Sequence, residues 1–374
     1  RPGDPDIAWA LANALNFSGR HRVALEAFGR LPAPVRDGER LDVARAWWWA
    51  GREDLALPLL QGQRDAQAVW LRDWRVSREL KPRAAAALEY ASDRDGLTLR
   101  GATLAGTWPL ADGAAAEARA RRAQIEDALS SLDVTQFQAQ ARWRWASADG
   151  ATWWPSAGLT LNHVAGWSPV TPFMRLRGVP ADGWRIDAEV ARELIETPRA
   201  LAERVHVDAV SFGVDHRPDA RLFLHAAAAT LRFDDGTQRW RTVARAEYAL
   251  SLKPRWSLGV EASHLARTRD GTEGADRGYW NPRRYDELRV YTALTVDARP
   301  FDLQARLGIG RAREIDGAGR AVDARPDLWE LVVGYDASPG LRLRMSAGQT
   351  GQGLAARGAG YWRRFVQVGA EAWF

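Results

Sequence analysis

The sequence predicts a transmembrane antiparallel β-barrel of about sixteen strands, preceded by a short α-helical segment. Three observations lead to this fold class. From residue 81 onward, apolar and polar residues alternate over one stretch after another, as in strands with one apolar face. Short turns and longer loops alternate between these stretches, and Trp is abundant although the mean hydropathy is only −0.38. A barrel in which every second residue faces lipid accounts for all three observations.

The composition narrows the alternatives. The 374 residues include 19 Trp and 33 Gly, and 26% of them are charged. No apolar run approaches the roughly 20 residues that a membrane helix needs, whereas the aromatic girdles of a membrane barrel use many Trp residues. Because the chain has no Cys, disulfides, thiolate nucleophiles and Cys-ligated metals are excluded. The net charge of +5 comes from arginines spread along the chain, so nucleic acid is not an expected partner.

Residues 1–80 carry a helical repeat. The string Gly19–Leu25 (Gly-Arg-His-Arg-Val-Ala-Leu) recurs as Gly51–Leu57 (Gly-Arg-Glu-Asp-Leu-Ala-Leu). Each copy follows an apolar helical stretch, so each unit is predicted to be a helical hairpin with Gly at its bend. The spacing between the two copies resembles that of the tetratricopeptide repeat, and so do the positions of Ala24 and Phe28 in the second helix. Two units bury little core, so this segment is predicted to be the C-terminal end of a longer solenoid that docks proteins. A plain helical bundle is the alternative.

Residues 81–374 are predicted to form the barrel. Stretches such as Trp240–Leu250 and Leu341–Ala347 each present one apolar face. Short turns marked by Pro or Gly, for example at Lys253–Pro254, alternate with longer loops, and counting between them gives sixteen strands with both chain ends on the short-turn side. This arrangement is typical of bacterial outer-membrane barrels, whose short turns are periplasmic. Residues 114–132 could instead form a helix or an excursion, and a soluble two-sheet sandwich is the alternative fold.

Two local strings resemble those of a known family. Leu231–Arg239 (Leu-Arg-Phe-Asp-Asp-Gly-Thr-Gln-Arg) is similar to an F-S-D-G-N-x-R-like string, and Gly278–Tyr285 is similar to a Y-F-N-P-x-R string. Both occur in the outer-membrane porins that export poly-N-acetylglucosamine, and the second also in cellulose-export porins. In that superfamily a periplasmic tetratricopeptide array precedes a barrel of sixteen strands. Because Thr237 replaces the usual Asn and Trp280 the usual Phe, the resemblance implies a polysaccharide-export porin without implying which polymer.

No catalytic or nucleotide-binding motif is present, and the six His residues show no paired metal-ligand spacing. The chain is therefore predicted not to be an enzyme and to need neither a cofactor nor a metal. An outer-membrane hydrolase, with two carboxylates that meet across the lumen, is the alternative.

The inward-facing positions are predicted to form a track for a sugar chain. Because a polysaccharide offers hydroxyls and weakly apolar ring faces, a conduit needs many modest hydrogen-bonding groups and aromatic platforms. The excess of Arg favours a neutral or anionic glycan. Alternatively, these side chains only solvate the lumen and form cross-strand ion pairs. The predicted inward set is Arg142, Arg144, Arg241, Arg245, Glu247, Glu261, Glu287, Arg289, Tyr291, Arg306, Glu330, Asp336, Arg342 and Arg344.

The longest loop and the last strand carry two further candidate sites. Tyr279, Trp280, Pro282 and Tyr285 lie on that loop and are predicted to form either an inward gate or an outward receptor surface, unless the aromatics simply belong to the upper girdle. The last strand alternates and ends on Phe374, which resembles the signal that the outer-membrane assembly machinery reads. This strand is predicted to close the barrel by pairing with the strand after residue 81.

The predicted function is passive secretion of an exopolysaccharide through the outer membrane of a Gram-negative bacterium. The helical segment is expected in the periplasm, where it would dock a glycan-modifying enzyme or an inner-membrane synthase complex. Outer-membrane lipid and the assembly machinery are further expected partners. The alternative is a surface receptor for phage adsorption or glycan binding, associated with an inner-membrane glycosyltransferase.

Overall fold

The computed structural model describes residues 4–33, 37–146, 151–269, 277–351 and 361–374. Helices occupy the N-terminal part, and one continuous β-sheet occupies the rest. None of the described helices is both long and apolar enough to cross a membrane.

The N-terminal helices form two hairpins followed by a short helical run. Gly19 and Gly51 stand at the two bends with φ of +88° and +75°, a left-handed conformation that favours Gly. The first hairpin packs Trp9 against Phe28, with ring centroids 4.9 Å apart. The helices are α1 (Pro5–Phe17), α2 (His21–Gly29), α3 (Asp37–Trp49), α4 (Glu53–Leu60) and α5 (Ala66–Leu71), which continues through a π-helical turn (Arg72–Val76) into α6 (Ser77–Glu79).

Sixteen antiparallel strands of the described residues form the sheet. A short helix, α7 (Pro198–Ala202), lies between two of them, and the short segments Trp145–Ala146 and Ala321–Ala324 pair at strand edges. The strands are β1 (Arg83–Asp93), β2 (Thr98–Pro109), β3 (Ala115–Glu126), β4 (Ser131–Arg142), β5 (Thr152–Val164), β6 (Val170–Val179), β7 (Trp184–Leu194), β8 (His206–His216), β9 (Leu222–Phe233), β10 (Gln238–Leu252), β11 (Arg255–Arg269), β12 (Arg284–Ala298), β13 (Phe301–Ile315), β14 (Asp327–Ser338), β15 (Leu341–Thr350) and β16 (Arg363–Trp373).

The sheet closes on itself. Strand β16 pairs with β1 from Arg83 opposite Trp373 to Asp93 opposite Arg363, so the predicted closing partner is correct. The predicted class, a closed barrel of sixteen strands preceded by helices, is confirmed, and the sandwich is wrong. Residues 115–126 form a full strand rather than a helix, because their Arg and Ala residues alternate in register with β2 and β4.

The two faces of the barrel differ in chemistry. Large apolar side chains such as Leu88, Phe137, Trp256 and Leu307 are exposed on the outer face, where a bilayer would cover them. The alternate positions turn polar side chains into the lumen. Short turns lie at the end of the barrel that adjoins the helices, here called the helical side. The longer connections lie at the opposite end, the loop side.

Phe374 ends the closing strand on the helical side. Its side chain is 71% exposed, and its backbone N–H donates to the carbonyl oxygen of Pro82 at 3.1 Å. The side chain therefore adds little packing to the folded barrel and remains accessible to another protein.

Deletion of Phe374 is expected to lower the fraction of chains inserted into the outer membrane while leaving the unfolding midpoint of inserted barrels almost unchanged. Insertion can be measured as the heat-modifiable fraction in isolated membranes, with Phe374→Tyr as the aromatic control. Normal insertion of the shortened chain would contradict the assembly role.

Candidate functional site in the barrel lumen

An ion-pair cluster covers one wall of the lumen, on strands β10 to β13. The Glu261 carboxylate accepts hydrogen bonds from Arg245 (2.6 Å), Arg289 (3.1 Å) and Arg306 (3.1 Å). These side chains come from four neighbouring strands and meet because each is an inward position of its strand. Arg245 and Glu261 are also direct cross-strand partners. The cluster balances charge within the wall and links its strands side by side.

Tyrosine and further carboxylates complete this wall. The Arg306 guanidinium lies 3.9 Å from the centroid of the Tyr291 ring, and the Tyr291 hydroxyl donates to Glu247 at 3.1 Å. Glu287 accepts from Arg289 and, at 2.8 Å, from Tyr285. Because Glu287, Arg289 and Tyr291 are all buried, a polymer in the lumen would not touch them without a rearrangement of the wall.

The remaining residues of the predicted track fall into two groups. Arg142, Arg344 and Glu330 are accessible inside the lumen, and Arg241 lies on the same inward face of β10. At the helical side, Arg342 pairs with Asp302 and Asp336. Only the first group can contact a passing ligand directly.

The opposite wall, on β3 to β7, holds polar residues that the sequence analysis omitted. A recess of about 300 Å³ is lined there by side chains that include Arg119, Gln136, Asn162 and Phe173. It combines charged, amide and hydroxyl groups with one aromatic ring, the chemistry that sugars recognise. In the sequence, the alternation of Arg and Ala in residues 118–121 indicates these inward positions. The alternation was obscured because the same stretch is also compatible with a helix.

A hydrophobic plug, formed by α7, lies in the mouth of the barrel on the loop side. Leu201 on α7 packs in one buried cluster with Leu99, Ile125, Val134 and Val164, which are inward residues of β2 to β5. Since α7 belongs to the connection between β7 and β8, it reaches across the mouth of the barrel. Leu201 is only 1% exposed. A loop segment, rather than the barrel's own wall, thus covers this part of the mouth.

Polar contacts hold the plug in place. Glu196, beside α7, is paired with Arg121 of β3, which also pairs with Glu89 of β1. The Thr197 hydroxyl donates to the carbonyl oxygen of Gly278 at 2.7 Å. Just before α7, the connection is therefore joined both to the lumen wall and to the longest loop.

The two strings that resemble the export porins meet next to this plug. Phe233 stacks on Tyr279 with ring centroids 4.5 Å apart, and Arg239 donates from Nε to the Asn281 side chain at 3.1 Å. The Tyr279 hydroxyl donates to Asp235. Burial, reinforced by this bond, raises the pKa of Tyr279 to about 12, so the phenol remains a donor at physiological pH.

The predicted loop residues therefore lie against the barrel interior. Tyr279, Trp280, Pro282 and Tyr285 are all buried, and Trp280 donates to Glu314 of β13 at 3.2 Å. Their side chains are not displayed on the outer surface. Phe374 lies at the other end of the barrel and takes no part in this site.

The helical segment crosses the other mouth of the barrel. Arg22 of α2 binds the β6–β7 turn through the carbonyl oxygen of Pro180 (2.7 Å) and through Asp182. Arg299, in the β12–β13 turn, lies 3.3 Å from the centroid of the Trp70 ring. These two turns are separated by six strands in a ring of sixteen. Helices thus bridge distant points of the rim.

Two residues predicted to line the lumen instead join the helices to this rim. Arg144 donates to the Gly51 carbonyl oxygen at 3.2 Å and lies 3.1 Å from Asp54. Asp336 accepts from Arg78, just before the barrel, at 2.6 Å. The sequence placed both on the correct face of their strands but could not show that the helices bind them.

Asp54 is the firmer anionic partner of Arg144 at this junction. Burial raises the pKa of the neighbouring Glu53. Burial acts in the same direction on Asp54, but the hydrogen bond from Arg52 and the charge of Arg144 outweigh it and lower the pKa of Asp54. Asp54 therefore stays ionised to lower pH than Glu53.

Comparisons with known proteins agree with this geometry. Residues 175–301, which include β7 to β12 and the string Leu231–Arg239, match the family model of the PgaA membrane β-barrel domain. The predicted resemblance to the export-porin superfamily is confirmed. No curated protein is significantly similar to the chain in sequence.

Solved structures share the fold of this barrel. One described as a bacterial polysaccharide outer membrane secretin superposes with a TM-score of 0.62 and 13% identity, over 79% of this chain and 99% of that chain. Pseudomonas aeruginosa OccK5 (OpdH) superposes with a TM-score of 0.44 and 10% identity, over 79% and 98% of the two chains. The first of these two superpositions shows that the barrel has the fold of an outer-membrane β-barrel. Among the described residues, no group of three or more potential ligands could hold a metal ion.

Proposed function

We propose that the chain is a passive outer-membrane conduit for a neutral or anionic polysaccharide, and that α7 and the N-terminal helices hold it closed at its two ends. The observation that carries this proposal is that α7, which lies in the β7–β8 connection and not in the barrel wall, packs over inward residues of β2 to β5. The polar wall behind the plug, with its paired charges and accessible Arg142 and Arg344, offers a wet path of modest hydrogen-bonding groups. The structural similarity to a bacterial polysaccharide outer membrane secretin supports the same function.

The helical segment would lie in the periplasm, on the side where polymer enters, and would dock a glycan-modifying enzyme or a synthase complex. Its exposed apolar residues support this role. Ile7 and Leu11, one helical turn apart on α1, are 56% and 61% exposed, and Phe17 is exposed at the end of the same helix. Such a face suits a preceding repeat or a partner protein. The contacts with the rim would let that partner influence the entrance.

A polymer-block measurement tests the conduit. In planar bilayers, dextran (neutral) or alginate (anionic) added to barrels opened by Leu201→Asp is expected to reduce the current reversibly, and chitosan oligomers are expected to do so less. Arg344→Gln should weaken the block, most of all by alginate, because it replaces an accessible cationic guanidinium inside the lumen by a neutral amide with fewer donors. Arg100→Gln, the same change on the outward face of β2, is the matched control. Open barrels that none of these glycans block would contradict the proposal.

A surface receptor remains the competing function because a permanently closed barrel would also suit it. The buried side chains of Tyr279, Trp280 and Tyr285 do not favour that role, since they offer no exposed aromatic surface to a phage or glycan. The receptor hypothesis requires a barrel that stays silent when the plug is destabilised.

A further inference from the structure

A trough crosses the outer, lipid-facing wall of the barrel on strands β8 to β13. It has a volume of about 1200 Å³, and its floor is made of small side chains, among them Ala226, Ala244 and Ala262. The larger side chains of Phe212 and Leu288 also line it. Since an unfilled concavity loses van der Waals contacts on one side, the trough suits a flexible apolar chain.

The trough climbs from the apolar band toward the loop side. Ala226 is the cross-strand partner of Ala244, Ala244 of Ala262, Ala262 of Leu288, and Leu288 of Arg311. This row starts near the middle of β9 and ends near the loop-side end of β13, because barrel strands are tilted by about 35–45°. The apolar floor therefore leads directly to an Arg side chain.

The upper end of the trough carries unneutralised positive charge. Arg311, Arg313 and Arg325 are exposed there, and none of them forms an ion pair with another residue in the described ranges. Of the nearby carboxylates, Asp286 already pairs with His264 and Arg284, both at 2.6 Å. Glu287 binds Arg289 on the lumen side of the wall. That leaves Asp323, the cross-strand partner of Arg313, as a single negative charge beside three arginines.

We propose that this trough binds an anionic, phosphate-bearing acylated lipid of the outer leaflet. Its acyl chain would lie along the Ala floor, and its phosphate would accept charge-assisted, bidentate hydrogen bonds from Arg311, Arg313 and Arg325. The charge complementarity is directional, since the cations stand only at the end nearest the membrane surface. This inference does not depend on what passes through the lumen.

A second Ala-lined depression on the outer wall provides an internal control. It has a volume of about 460 Å³ and includes Ala86, Ala102 and Ala120. Its outward Arg122 is paired with Asp133 at 3.4 Å. It therefore offers a similar floor without an available cation, and it is not expected to select anionic lipid.

The test uses the full chain in phosphatidylcholine vesicles that contain trace spin-labelled phosphatidic acid or spin-labelled phosphatidylcholine. Electron paramagnetic resonance then gives the selectivity for the anionic lipid. We expect the wild type to prefer phosphatidic acid several-fold, the double variant Arg311→Gln/Arg313→Gln to lose most of that preference, and Ala244→Phe to reduce it by filling the trough. Ala102→Phe, in the control depression, should leave it unchanged.

Four results would overturn the inference. The first is a wild type without preference, and the second is a preference that survives both trough variants. The third is competition by free glycerol phosphate at the concentration of the lipid, which would assign the arginines to a soluble phosphate instead. A dimer that Ala244→Phe dissociates would assign the trough to a second copy of the chain. Heat-modifiable mobility verifies that each variant is a folded barrel.

Discussion

Replacing Leu201 by Asp is expected to turn a closed barrel into a conducting one. Leu201 is enclosed by apolar residues of β2 to β5, and placing a carboxylate among them without a partner would cost several kcal/mol, of the order of 2–7 for an unpaired polar group and more for a charge. The plug can escape this cost by swinging out of the mouth. The strand ladders do not depend on Leu201, so the barrel itself should persist.

Single-channel recording in planar bilayers measures the effect. We expect a low conductance for the wild type and a several-fold higher one for Leu201→Asp, while heat-modifiable mobility stays the same. Leu129→Asp is the matched control because Leu129 lies on the loop side between β3 and β4 and is 92% exposed. A folded Leu201→Asp barrel as silent as the wild type would refute closure by a movable plug.

The closed state changes how wild-type recordings should be interpreted. A silent wild-type barrel would not by itself favour a receptor over a conduit, because the plug and the bridging helices would silence either one. Only the behaviour of a barrel with a displaced plug separates the two functions. A silent wild type together with a conducting Leu201→Asp variant would therefore support the conduit.

The sequence predicts the barrel well because its signals are local. Alternation of apolar and polar residues assigns each strand, and the two classes of turn assign its direction. The parity of a residue, its odd or even position along the strand, then places side chains such as Arg245, Glu261 and Arg306 on the inner face. The same alternation assigns the outward face of β16, the strand just before Phe374, which pairs with β1. None of these steps needs knowledge of contacts between distant parts of the chain.

What the sequence does not reveal depends on long-range contacts. Leu201 resembles any other Leu in a loop, and its role follows only from its contact with β2 to β5. Arg144 and Asp336 have the parity of lumen residues, yet helices that lie far away in the sequence bind them. Likewise, alternation cannot distinguish the buried Arg289 from the accessible Arg344, because both occupy inward positions.

Replacing Glu261 by Gln is expected to destabilise the barrel by about 3 kcal/mol, because it removes one charge from a largely buried cluster. Glu261 is the common partner of Arg245, Arg289 and Arg306. Arg289 would retain Glu287, and Arg306 would retain Glu330 at 3.9 Å. Arg245 has no other carboxylate within ion-pair distance in the described ranges. The neutral amide would thus leave Arg245 without a carboxylate partner and would weaken the charge compensation of Arg289 and Arg306.

Urea unfolding in lipid vesicles, followed by the loss of heat-modifiable mobility, can measure this difference. Glu189→Gln is the matched control, since Glu189 pairs with a more exposed arginine, Arg175, on the opposite wall, and loss of an exposed pair costs less than about 1 kcal/mol. Equal stability losses in the two variants would show that the Glu261 cluster is no more important to the wall than an ordinary solvated pair. A larger loss for Glu261→Gln would show that the buried Glu261 cluster stabilises the wall of the lumen more than a solvated pair does.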